Sequence, residues 1–174
     1  MKPAISPNRI AVIAMIAAVY TVLVLILPWL SYGPVQVRVA EALTLLPVLT
    51  PWAIWGVGLG CFVANLWGWL TGANPLGALD TVLGTLASVI AGIITYRLRN
   101  FRVRGWPILS ALSPVVVNAI IIGGQLTVVY HGSFSLRVFG VYALWVGAGQ
   151  VVACMFLGLP LLKALERKNI FADV

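Results

Sequence analysis

The sequence predicts an all-α membrane protein, a single bundle of about six transmembrane helices with both termini in the cytoplasm. Three observations carry this. The 174 residues are 61% hydrophobic and only 9% charged, with a mean hydropathy of +1.05. A soluble domain of that length could not bury so much apolar surface, nor stay in solution with so few charges. The apolar residues fall in long runs, near the roughly 20 that a helix needs to cross a bilayer. The basic residues gather in short connections beside those runs, where they orient a membrane chain.

The elements follow in order. A first span runs from about Arg9 to Leu27 and stops before Pro28. Lys2 and Arg9 ahead of it resemble the start of a secretory signal. The run is longer than a signal core, however, and no small-residue cleavage site follows, so it reads as a retained span. An outer loop, Pro28 to Pro34, leads to the segment Val35 to Val48, which holds Arg38 and Glu41 and is short for a full crossing. The third span, Trp52 to Leu70, carries Gly56, Gly58 and Gly60, which permit close helix approach. The loop Thr71 to Pro75 precedes a fourth span ending near Tyr96. The basic loop RLRNFRVRG then leads to a fifth span, Trp106 to Val129. A turn from His131 to Ser135, a sixth span from Val138 to Leu162 and the tail KALERKNIFADV complete the chain. No polar stretch is long enough for an appended domain, and no internal repeat is visible.

The basic residues test the span count. With a cytoplasmic N-terminus, Lys2, Arg9, Arg97, Arg99, Arg102, Arg104, Lys163, Arg167 and Lys168 are inside, nine of the eleven. Only Arg38 and Arg137 are left outside. Removing one span would put the arginine-rich loop and the basic tail on opposite sides, against the positive-inside bias. The net charge of +7 is thus an orienting charge, and no nucleic-acid-binding motif accompanies it. Cys61 and Cys154 lie inside spans and His131 stands alone, so the chain has no disulfide framework, metal site or cofactor motif to offer.

Polar residues inside spans are expensive, and their depth is informative. Glu41, Asn65, Asp80, Asn118, Gln125 and Gln150 all fall at mid-depth or in the outer half, as does Arg38. Asn118 and Gln125, seven residues apart, share a helix face. A polar pocket opening outward over an apolar floor accounts for this pattern. The competing account is helix gluing in pairs, with Arg38 and Glu41 neutralising each other at a spacing of three. Tyr142 and Trp145 lie above Gln150, and Trp67 lies near Asn65; each is a candidate for stacking or for plain packing. Trp29, Trp52, Trp55, Trp69 and Trp106 read as interfacial anchors. In the first span Ala14 and Ala18, extended by Ala11, make a small-residue stripe on which another helix could pack closely.

Two stretches add a family resemblance. VQVRVAEALTLLPVLTPWAIWGVGLGCFVANL and, later, GALDTVLGTLASVIAG resemble the QueT family of queuosine-precursor transporters. These are the substrate-binding S components of energy-coupling-factor (ECF) transporters, and the likeness covers most of the chain. It implies a six-helix protein of the cell membrane that binds a micronutrient near the outer face. Docking on a transmembrane coupling protein would use an A-x-x-x-A motif, matched by Ala14 and Ala18. A pair of cytoplasmic ATPases would drive uptake, because this chain has no G-x-x-x-x-G-K-[ST] loop and is expected not to be an enzyme.

The implied substrate is a 7-deazaguanine: the 7-aminomethyl or 7-cyano compound, or queuine. One acid, Glu41 or Asp80, would meet the base edge; the other would face an aminomethyl cation or support the pocket. Asn118, Gln125 and Gln150 would complete the hydrogen bonding, and Trp67, Tyr142 or Trp145 would stack on the ring. An S component for another vitamin, a self-sufficient permease, a membrane enzyme and a purely structural helper are the rivals. For the enzyme, neither H-E-x-x-H nor G-x-S-x-G is present.

Overall fold

The computed structural model describes residues 6–33, 37–168 and 170–171. Lys2 and the boundary expected at Pro34 and Val35 lie outside these residues. Within them each long apolar run is a helix, the form in which a backbone in lipid satisfies its own polar groups. The order is α1 (Pro7–Ile26), a one-turn α2 (Pro28–Ser31), an inner 3-10 helix (Val39–Val48), α3 (Trp52–Leu70), α4 (Gly77–Arg97) and α5 (Ile108–His131). Then α6 (Leu136–Val151) runs through a wide π-helical stretch (Val152–Gly158) into α7 (Leu159–Arg167). Five rods are long and apolar enough to cross a membrane: α1, α3, α4, α5 and the continuous Leu136–Arg167 rod of 32 residues. The protein is accordingly a multi-pass membrane protein.

Neighbouring rods pack in chain order, α1 on α3, α3 on α4, α4 on α5 and α5 on α6, around the inner helix. That helix touches α1, α3, α4, α5, α7 and the π stretch, and every residue from Ala40 to Val48 is buried. Ten residues at about 2 Å each reach about 20 Å, short of the ~30 Å hydrocarbon core. The segment expected over Val35–Val48 is therefore a short helix enclosed by the others, with Arg38 just ahead of it. The last long rods also differ from expectation. α5 starts at Ile108 and takes in His131, and Gly132 closes it in the left-handed region at φ 76°. α6 begins two residues earlier than expected, at Leu136.

The glycines of α3 let α1 approach closely. A Cβ on Gly60 would lie 2.7 Å from the Cβ of Tyr20, and one on Gly56 would lie 2.8 Å from that of Ile16. Between α4 and α5 the contact is polar. Pro114 has no N–H to offer the Ser110 carbonyl one turn back, and the Thr95 hydroxyl donates to that carbonyl at 3.2 Å. The Thr95 and Ser113 hydroxyls are 2.7 Å apart, and Ser113 also donates to the Ala91 carbonyl at 2.8 Å.

The basic loop is tied to the last helix. Arg102 Nη2 lies 2.6 Å and Lys163 Nζ 3.3 Å from the Glu166 carboxylate, and the hydrogen bond to Glu166 raises the Arg102 pKa above its ordinary value. Just inside this basic end, Leu45, Val48, Ala111 and Leu162 form an apolar floor, flanked by Leu49, Met155 and Leu159.

Candidate functional site

Above that floor the inner helix begins with two opposite charges that do not pair with each other. Arg38 reaches across to α4, where its Nη2 lies 3.4 Å from Asp80 Oδ2, and both side chains are buried. The mutual neutralisation of Arg38 and Glu41 considered from their spacing is thus replaced by a pairing across 42 positions. Arg38 also donates through Nε and Nη2 to the Ser31 carbonyl, at 3.4 and 3.3 Å. Asp80 Oδ2 takes a second donor, Asn74 Nδ2, at 2.8 Å, and Asn65 Nδ2 donates to the Asp80 carbonyl at 2.9 Å.

Glu41 has a different environment. Its Oε1 accepts from the Tyr20 hydroxyl at 2.6 Å, and its Oε2 accepts from Asn118 Nδ2 at 3.4 Å. Its backbone carbonyl accepts from the Thr44 hydroxyl at 2.6 Å and from the Cys154 thiol at 3.5 Å. The same thiol reaches Gln150 Oε1 at 3.5 Å. The widened turn of the π stretch carries Cys154 to this point; such bulges in helices recur at functional sites.

Several buried acceptors here have no partner among the described residues. Asp80 Oδ1, Asn65 Oδ1 and Ser31 Oγ are unpaired, and all three belong to residues bonded to the Arg38–Asp80 pair. Buried polar atoms are nearly always satisfied, and each that is not costs about 1–3 kcal/mol. The position of Asp80 depends on Gly84, where a Cβ would lie 2.5 Å from Asp80 Oδ1 and 2.9 Å from Asn65 Nδ2.

At the end opposite the basic loop a cavity of about 410 Å³ opens between α2 and the α3–α4 loop, lined by Trp29, Tyr32, Gly72, Pro75 and Tyr130 among others. That volume lies in the range of small-molecule sites. Tyr32 links it to the polar core. Its hydroxyl donates to the Ala64 carbonyl at 2.6 Å, and its ring centre is 5.7 Å from the Arg38 guanidinium carbon.

Of the residues marked in the sequence, the structure brings together Arg38, Asp80 and Asn65 in one group and Glu41, Asn118 and Gln150 in the other. Gln125 is buried with both amide atoms unpaired among the described residues, beside an apolar crevice lined by Leu79, Leu83 and Ile121. Tyr142 is half-buried, 6.3 Å edge-on from Trp145 and 6.2 Å from Tyr130. Trp67 is 54% and Trp145 46% exposed, and neither reaches the polar core. The core also contains Tyr20, Tyr32 and Asn74, which the sequence did not mark, and the two cysteines, buried within the bundle as their place in the spans suggests. A tyrosine in the middle of an apolar first span was the clearest missed signal.

Ala14 and Ala18 lie on the exposed side of α1. With Thr21, Leu59 and Val63 they line a shallow apolar groove of about 360 Å³. The opposite face of the same helix carries Tyr20 into the bundle.

A model of the QueT transporter family matches residues 10–167. Searches of curated proteins and of solved structures found no match. The family match covers nearly all of the chain, including every residue of the polar core, and the chain belongs to the QueT transporter family.

Proposed function

From that family membership we propose that the chain is the S component of an ECF transporter, and that it captures a queuosine precursor of the 7-deazaguanine class. The observation that carries the reading is the set of unpaired acceptors beside the Arg38–Asp80 pair. The Watson–Crick edge of a deazaguanine presents adjacent N–H donors, which such acceptors complement. Asp80 Oδ1 and Asn65 Oδ1 take those donors, while Arg38 engages the other oxygen of Asp80. Tyr32, at the junction of cavity and core, offers the base a ring face.

Energy for uptake comes from partner ATPases through a transmembrane coupling protein seated on the Ala14–Ala18 groove, where small side chains admit a close helix. The apolar floor supports a division of labour in which this chain binds the solute and partners drive its release inside.

Native mass spectrometry of the detergent-purified protein tests the reading. Incubation with a mixture of 7-deazaguanines, thiamin and riboflavin is expected to yield a one-to-one deazaguanine adduct that excess guanine depletes. A thiamin or riboflavin adduct would redirect the substrate assignment. No adduct with any of them would count against an S component altogether.

A further inference from the structure

The loop between α4 and α5 carries an arginine where its backbone favours another residue. Val103 and Trp106 exchange backbone hydrogen bonds at 2.9 and 3.0 Å, closing a two-residue turn over Arg104 and Gly105. Both turn residues have positive φ, 52° and 81°, the geometry for which Asn-Gly is the favoured pair. A long side chain in the left-handed region is uncommon and strained. The turn therefore does not itself account for Arg104. The hairpin is also held in place. Lys163 Nζ donates to the Gly105 carbonyl at 3.3 Å and lies 5.9 Å from the Trp106 ring centre. Glu166 binds Arg102 at 2.6 Å beside it.

Arg97, Arg99, Arg102, Arg104, Lys163, Arg167 and Lys168 gather at this end, and Glu166 is the single acid there among the described residues. Glu166 takes Arg102 and Lys163. Arg99 lies 3.9 Å over the Tyr96 ring and donates to the Tyr96 carbonyl at 2.9 Å. Arg97, Arg104, Arg167 and Lys168 are exposed, and no described carboxylate pairs with them. Phe101 and Val103, each more than half exposed, alternate with Arg102 and Arg104.

We infer that this end is a docking surface for anionic phospholipid, with Arg104 presented to the lipid phosphate. The rods on either side, α4 and α5, are long and apolar enough to span, so residues 98–107 stay at the membrane boundary. There the exposed Phe101 and Val103 enter among acyl chains, which favours lipid over an acidic protein as the occupant. A guanidinium fork matches a phosphate, and the excess of positive charge selects an anionic headgroup over a zwitterionic one.

Native mass spectrometry tests this on the detergent-purified protein, titrated with phosphatidylglycerol and phosphatidylcholine of identical acyl chains. Phosphatidylglycerol is expected to bind at least about tenfold more tightly, with the margin narrowing as ammonium acetate is raised. Arg104→Asn is expected to weaken phosphatidylglycerol binding about fivefold. Its thermal midpoint should hold or rise, because asparagine suits the turn. Arg104→Lys, which keeps the charge, should retain most of the binding. Equal affinity for the two lipids in the unaltered protein overturns the inference; if Arg104→Asn then lowers recovery of a coupling protein, the surface serves a protein instead. Unchanged phosphatidylglycerol binding in Arg104→Asn overturns the role of Arg104. An equal loss for both lipids overturns the charge selection.

Discussion

The Tyr20 hydroxyl donates to Glu41 Oε1 at 2.6 Å, joining the middle of α1 to the first turn of the inner helix with both groups buried. Because the acceptor is a carboxylate in an apolar surround, the bond is worth more than an average one, about 1.5–3 kcal/mol. Tyr20→Phe keeps the ring and the Cβ that lies against Gly60 and removes only the donor. It is expected to lower the thermal midpoint of the detergent-solubilised protein measurably, by an amount consistent with that range. A midpoint unchanged within error would mean that the bond contributes little.

The Arg38–Asp80 pair makes a second, independent prediction. Removing one member of a buried pair strands the other charge, typically at about 3–5 kcal/mol. Arg38→Gln and Asp80→Asn should each destabilise strongly. The double variant should be more stable than the sum of the two losses implies, by at least about 1 kcal/mol of coupling. Unfolding midpoints of the four proteins close this cycle, and strict additivity would show that the two groups do not interact.

Gly84→Ala tests the seat of Asp80. The added methyl would sit 2.5 Å from Asp80 Oδ1, so the carboxylate has to turn away. Overpacking of this kind costs about 1–3 kcal/mol. The variant is expected to bind a deazaguanine about tenfold or more weakly, a loss of about 1.4 kcal/mol. Gly124→Ala, where a methyl would meet nothing within 4 Å, is the control expected to bind normally.

On the surface of α1, Ala14→Leu with Ala18→Leu fills the groove without touching the polar core. Substrate affinity of the isolated chain should be unchanged, whereas recovery of a coupling protein and ATPases with it should fall severalfold or more. Loss of both properties together would place the alanines in the fold itself.

Thr95→Val removes the donor that serves the carbonyl freed by Pro114. About 1–2 kcal/mol of stability should go with it, with substrate affinity retained. Thr95→Ser, which keeps the hydroxyl, should recover most of the loss.

The long rods were legible because a bilayer demands long apolar runs and the basic connections punctuate them. The inner helix was legible only as a segment too short for a full crossing, since Pro47 and the charges at Arg38 and Glu41 interrupt any simple pattern. The acids and amides of the core stood out for the same reason that they are expensive in lipid. Their partners did not, because Tyr20 and Glu41 are 21 positions apart and Arg38 and Asp80 are 42. The aromatics could have been sorted better from spacing alone. Trp67 follows Asn65 by two residues, about 200° around the helix, so it faces away when Asn65 faces in. Asn74 lies in a loop, and its bond to Asp80 in the folded chain makes it part of the core.

The floor of Leu45, Val48, Ala111 and Leu162 also has an electrical meaning. Protons cross proteins along files of water or polar groups, and among the described residues this apolar layer lies between the acid-bearing core and the basic end. The hydroxyls of Thr95, Ser110 and Ser113 are occupied with one another and with backbone carbonyls, and do not bridge it. A membrane crowded with copies of this chain is therefore expected to keep its proton gradient, which a pH-sensitive dye inside proteoliposomes would report.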